Sequence, residues 1–182
     1  MAVEYQRFER SSLEDHYLSS ISTVDRLAAE LRSALELEST AIDLAHIHGA
    51  KNMVIQEIVS AVLKGRLGFQ EEVLLTPELG IVSRPRPDFF YRIGPSEGVI
   101  AEVERGGTVN NNHDLKDIWK AHIAPDAQHL FLIVPNSNWK EDGRARERPF
   151  TRVSNRMGAF FGDPRREIDV LTCHVFGYGR LV

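Results

Sequence analysis

Apolar residues recur at near-helical spacing through Leu13, Tyr17, Ile21, Val24, Leu27, Ala28, Leu31 and Leu35, which predicts a helix over 11–38, opened by a capping box of Ser11 and Glu14. A second helix is predicted over 51–64, with Val54, Ile55, Ile58, Val59, Val62 and Leu63 on one face and a stop before Gly65 and Gly68. The period then shortens. Segments 70–75, 88–93 and 98–104 read as strands, separated by Thr76-Pro77, by Arg84-Pro85-Arg86-Pro87 and by the run from Gly94 to Gly98, all turn chemistry. A helix near 111–123 follows, with Leu115, Ile118, Trp119, His122 and Ile123 on one face and Pro125 beyond its end, and then a buried strand over 129–134. Residues 150–161 suit one more helix and 169–176 one more strand. The order helix, three strands, helix, strand makes an α/β (α+β) fold. Strands joined across a helix pair in parallel, so the central sheet is expected to be mixed and flanked by helices.

Strand parity gives the most informative reading. Between Gly98 and Glu104, Val99, Ala101 and Val103 point to one face while Ile100, Glu102 and Glu104 point to the other. A hairpin through 94–97 sets Asp88 opposite Glu102 or Glu104 if the register sum is even, so three carboxylates share one face. Crowded acids repel unless protons or a cation compensate them. Magnesium suits such a site: it takes carboxylate and water oxygens, is often held by only one or two carboxylates plus substrate phosphates, and activates water for phosphodiester chemistry. Manganese can substitute.

Composition bounds the alternatives. The 182 residues, 42% apolar and 26% charged, fit one domain and neither a disordered nor a fibrous chain. Within it 1–45 reads as an N-terminal helical extension, 51–135 as the core and 136–182 as a basic loop with accessory elements. No apolar run approaches the length a membrane span needs. A single cysteine, Cys173, excludes an intrachain disulfide, and with no signal-like start the expected compartment is the cytoplasm. The net charge of −4 speaks mildly against a nucleic-acid partner. Its distribution reverses that: residues 1–60 carry −5, residues 61–139 carry −2 and residues 140–182 carry +3. The last segment holds Lys140, Arg144, Arg146, Arg148, Arg152 and Arg156, which either meet phosphates or form a solvated loop partnered by Glu141, Asp142 and Glu147.

The sequence Pro87-Asp88 followed by Glu102-Val103-Glu104, set between a helix and a helix–strand pair, resembles the PD-(D/E)XK nuclease superfamily over about residues 51–135, with an E-x-E variant in which Glu104 replaces the usual lysine. A minority of type II restriction enzymes are similar in this. The resemblance implies a restriction-endonuclease-like αβββαβ core and a magnesium-dependent endonuclease acting on double-stranded DNA, with a homodimer if the recognised site is palindromic. Asp88 and Glu102 would be metal ligands, and Glu104 a further ligand or the residue that positions the attacking water. Glu57 corresponds to an acid often found near the metals in such nucleases. Lys116 or Lys120, four apart on the next helix, could supply the positive charge absent from position 104; the alternative is two solvated lysines paired with Asp117 or Asp114. Arg84, Arg86 and the arginines from 144 to 156 would meet DNA. The alternative is a non-catalytic nuclease-like module that binds DNA or protein.

Other motifs carry less. His46-Ile47-His48 lacks a third ligand nearby. His113 and His129 could contact DNA or relay protons, although capping or core roles are commoner. Cys173-His174 has no thiol-protease context, and Gly106-Gly107-Thr108 lacks the phosphate-loop pattern. Trp119 and Phe160-Phe161 read as core.

Overall fold

The computed structural model describes residues 3–48, 53–75, 85–105, 108, 110–163, 165 and 168–181. A six-stranded sheet forms its centre, in the order β1 (Glu4–Glu9), β8 (Thr172–Tyr178), β5 (His129–Pro135), β4 (Glu97–Val103), β3 (Phe89–Gly94) and β2 (Gln70–Glu71). The inner strands β8, β5 and β4 are parallel; β1 is antiparallel to β8, as are β3 to β4 and β2 to β3. The sheet is therefore mixed, as expected of a helix crossover between β4 and β5 and a hairpin between β3 and β4.

Helices cover both faces. On one lie α1 (Leu18–Leu37), α2 (Ser39–Ala45) and α3 (Met53–Ser60), which continues as a π-helical turn over Ala61–Arg66. Leu27, Leu31, Leu35, Val59 and Leu63 from this layer pack on Phe89, Val99, Ala101, Phe131 and Phe176. On the other lie α4 (His113–Ile123) and α5 (Pro149–Phe161), whose Ile118, Ala121, Val153 and Met157 pack on Phe90, Ile100, Leu130, Leu132 and Val175. Alternate residues of β5 go to opposite cores, and the whole strand is buried. This explains why a central parallel strand reads as an unbroken apolar run.

Several expectations need amendment. The long helix starts at Leu18, after a 3-10 turn over Asp15–Tyr17, and no side chain caps it, so Ser11 and Glu14 form no capping box. Residues Glu4–Glu9, which the pattern leaves unassigned, form edge strand β1 on β8. The segment 136–147 folds as a small antiparallel ribbon of β6 (Asn138–Trp139) and β7 (Ala145–Glu147), turning at Gly143 with φ of +76°. Helix α4 is rotated from its predicted orientation: Asp114, Asp117, Ile118 and Ala121 face inward, while Trp119 is 45% exposed and His122 is exposed. Phe160 and Phe161 do pack on the core. Among the described residues no helix is long and apolar enough to cross a membrane.

Candidate active site

The β3–β4 hairpin closes through a two-residue turn at Pro95 and Ser96, and Phe89 pairs with Ala101. That register sum is even, so the next position places Asp88 across from Glu102. Two contacts tie the pair together. The Val103 amide donates to Asp88 Oδ2 at 3.0 Å, and the Asp88 amide approaches Glu102 Oε2 at 3.4 Å. The Asp88 carbonyl in turn accepts from the amide of Glu72, which holds φ of 51°. Glu72 and Asn112, the residue before α4, are the described non-glycine residues with positive φ, and both flank the site. Backbone held in such a sparsely populated region must be fixed by its surroundings.

Helix α4 supplies the other half. Lys120 Nζ donates to Glu102 Oε1 at 2.7 Å and lies 3.0 Å from Asp117 Oδ1, one turn back along the helix. Glu102 and Asp117 are 2% and 3% exposed, and Asp117 Oδ2 is buried without a partner. Burial pushes Glu102 up to about 7, against the opposing pull of Lys120 and with the help of Asp88. Burial also lifts Asp117 well above the carboxylate range, and Glu102 and Glu104 add to it. Lys120 is moved up from its ordinary value: desolvation opposes its charge, but Asp117 and Glu102 outweigh that. One ammonium thus faces two desolvated carboxylates, and the group retains either an excess negative charge or a proton.

Glu104 faces the same way but has another partner, accepting a hydrogen bond from or sharing a proton with His113 Nδ1 at 2.8 Å. Its backbone is anchored by Ile133 and by the buried Tyr178 hydroxyl, which donates to the Glu104 carbonyl at 2.9 Å. Arg105 reaches across to Gln56 of α3 at 2.9 Å.

The structure brings Asp88, Glu102, Glu104 and Lys120 to one end of the sheet. Glu57 is exposed and opens onto shallow surface depressions with Glu38, Arg66, Lys64 and Glu71, none of which is a site carboxylate. Lys116 is exposed on the solvent side of α4. Arg84 lies outside the described residues. Arg86 is exposed and pairs with Glu72, and Arg144, Arg146, Arg148 and Arg152 are exposed. Arg156 is different, because its guanidinium donates to buried Asp114 at 2.7 Å and to Asn112 at 2.9 Å. His46 bonds the Ser137 carbonyl and packs edge-on against Tyr178, which leaves no reason to read His46-Ile47-His48 as metal ligands. His129 bonds Thr172 inside the core, and Cys173 is fully buried with its thiol pushed up by desolvation. The Asp117–Lys120 pair forms as the i, i+3 spacing allows, but it is buried at the carboxylates rather than solvated, so Asp117 joins the site where the sequence offers it only as a surface partner.

Among the described residues no three His, Cys, Asp or Glu side chains close into a complete metal cage. The donor set still fits a hard cation held from one side. Asp88 Oδ1 takes no hydrogen bond from the described residues, Glu102 is beside it, and the surplus of buried carboxylate requires positive charge.

No family model and no curated protein matches the chain. Among solved structures it resembles the restriction endonuclease BglII, in a complex with a DNA 16-mer, at a TM-score of 0.60 and 10% identity, covering 99% of this chain and 77% of that one. The six-stranded mixed sheet with its helical layers is thus a restriction-endonuclease-like fold.

Proposed function

We propose that the protein is a magnesium-dependent endodeoxyribonuclease of the type II restriction kind, cutting double-stranded DNA as a homodimer. The observation that carries this reading is the pairing of Asp88 with Glu102 at the β3–β4 register, with the Lys120 ammonium 2.7 Å from Glu102. Asp88 and Glu102 would hold the metal ion, which supplies Lewis-acid activation of water and positive charge for the phosphate oxygens. Manganese would serve in its place.

The remaining work falls to the chain. In hydrolysis the water oxygen bonds to phosphorus, the bond from phosphorus to the leaving sugar oxygen breaks, and the water's proton goes to a base. Lys120 is held protonated by its two acids, so it acts as a cation and donor beside the phosphate rather than as that base. It therefore does the work of the lysine missing from position 104. The Glu104–His113 pair, less deeply buried, is placed to accept the proton.

A second reading, a non-catalytic nuclease-like module, draws support from one observation: Lys120 already occupies Glu102 Oε1. Supercoiled plasmid incubated with Mg²⁺ or Mn²⁺, with chelator, Asp88→Ala and Glu102→Ala controls, separates the two. Discrete bands that vanish in all three controls support a restriction enzyme, and a smear supports a nonspecific nuclease. Absence of any cleavage across methylated and unmethylated DNA of varied sequence, with the protein folded, leaves only the binding module. Sedimentation velocity tests the dimer separately.

A further inference from the structure

We infer that the exposed arginines at the start of α5, Arg148 and Arg152, form a wall beside the carboxylates that takes the phosphate backbone of duplex DNA, whereas Arg156 serves only as its structural root. This rests on the DNA reading above and divides the arginine run into two kinds of residue.

Topology places the wall. Helix α4 joins parallel strands β4 and β5, so it runs back from the edge where those strands end; α5, between β7 and the parallel strand β8, runs back from the same edge. Arg156 bonds Asp114 in the first turn of α4 and Asn112 just before it. Arg148 lies eight residues earlier, about 12 Å along a helix. The start of α5 therefore stands beyond the start of α4 on that edge. His113, adjacent to Asp114, bonds Glu104, so the root of the wall adjoins the carboxylate cluster.

Charge gives the wall its partner. Arg148, Arg152 and Arg156 follow one another at four-residue intervals, while Val153 and Met157 take the core side of α5. Only the last of the three is spent. Arg148 and Arg152 are exposed and make no ion pair among the described residues. Neighbouring arginines four apart are about 6 Å apart along the axis, a spacing suited to successive phosphates of one strand. Glu147 keeps its charge, but its carboxylate is turned to Asn138 within the ribbon and forms no ion pair with either arginine among the described residues.

The test is binding of a random-sequence duplex without divalent metal, by fluorescence anisotropy over a salt series. Arg148→Ala/Arg152→Ala should weaken binding about tenfold and reduce the slope of log affinity against log salt by about 1.8, at 0.9 per phosphate contact. Arg26→Ala, which removes an exposed arginine paired with Glu30 on the opposite helical layer, should change neither. Wild-type affinity and slope in the double variant, with circular dichroism unchanged, overturn the wall but leave the DNA reading standing. No binding of duplex by the wild type, either without divalent metal or with Ca²⁺ added, overturns both. Competition by polyglutamate as effective as by duplex also overturns the wall, because its partner would then be any polyanion.

Discussion

Lys120 serves two acids at once, and its removal should cost more than a surface lysine would. A Lys120→Met variant leaves Glu102 and Asp117 desolvated without a cation, and breaking a buried pair from one side costs about 3 kcal/mol at neutral pH. Adding Asp117→Asn removes one of the two stranded charges, so the double variant should be more stable than Lys120→Met alone. Urea denaturation of the four proteins of this cycle at pH 8 checks the prediction; simple additivity would mean that Asp117 and Lys120 do not interact. Glu102→Gln keeps an oxygen for Lys120 and so should fold. On the proposed function it nonetheless removes a charged oxygen meant to hold the metal, and the cleavage rate should fall by more than about 100-fold, since even partners one step removed from a metal typically cost 10 to 100-fold.

At the scale of elements, α4 is fixed to its neighbours by ion pairs as much as by apolar contact. Asp114 is fully buried and, among the described residues, its one ion-pair partner is Arg156 of α5, so Arg156→Ala should destabilise the fold by about 3 kcal/mol, whereas exposed Arg152→Ala should stay within about 0.5 kcal/mol. Thermal melts of the two variants distinguish them. These pairs also explain what was legible in the sequence. Glu102 and Glu104 could be assigned to one face because strand alternation is local; setting Asp88 opposite Glu102 depended on the even register, which a bulge between Arg92 and Gly94 produces and the turn alone would not. Asp114 and Asp117 could not be placed inward, because an acid on an amphipathic helix normally faces water, and here the partner that reverses this is either 42 residues away or a lysine that itself reads as solvated. Trp119 was placed inside for the same reason: once the acids turn inward, the indole turns out. Strand β1 escaped notice because Glu4, Gln6, Arg7 and Glu9 make it polar, as edge strands commonly are. It nonetheless closes a buried polar chain in which Tyr5 bonds His174, and His174 and His129 share the Thr172 hydroxyl. Burial, aided by Arg7, lowers His129 to about 4 and His174 to about 3. Above pH 6.5 both are neutral in either state and their contribution is complete. As pH falls below 6.5 the unfolded chain takes up protons that the folded one refuses, so stability should drop by up to about 1.4 kcal/mol per pH unit for each histidine. Glu102 and Asp117, raised in the folded state, pull the other way over the same range, so the histidine contribution is read as a difference: between pH 7 and 5 the slope of unfolding free energy against pH should be lower in His129→Asn than in the wild type by about one proton.

For the whole molecule, the charge of −4 conceals a conflict between two neighbouring surfaces. The proposed wall at the start of α5 would attract phosphate, but the cluster beside it sets Asp88, Glu102, Glu104 and Asp117 against one ammonium and one imidazole. Without a divalent ion the acids repel the same DNA that the arginines draw in. Duplex affinity should therefore rise at least about tenfold when Ca²⁺, which occupies oxygen sites, is added at constant ionic strength. On the proposed function Asp88→Asn should reproduce part of that gain in the absence of metal while abolishing cleavage in its presence, because it removes a negative charge from the proposed phosphate path along with an oxygen proposed to hold the metal. Isotope-free titration by anisotropy, with and without chelator, measures both halves. A nuclease-like module that merely binds DNA elsewhere predicts the opposite: metal and Asp88→Asn leave affinity unchanged. The acids would then be ordinary solvated charge, and the register that places Asp88 across from Glu102 would have no bearing on DNA.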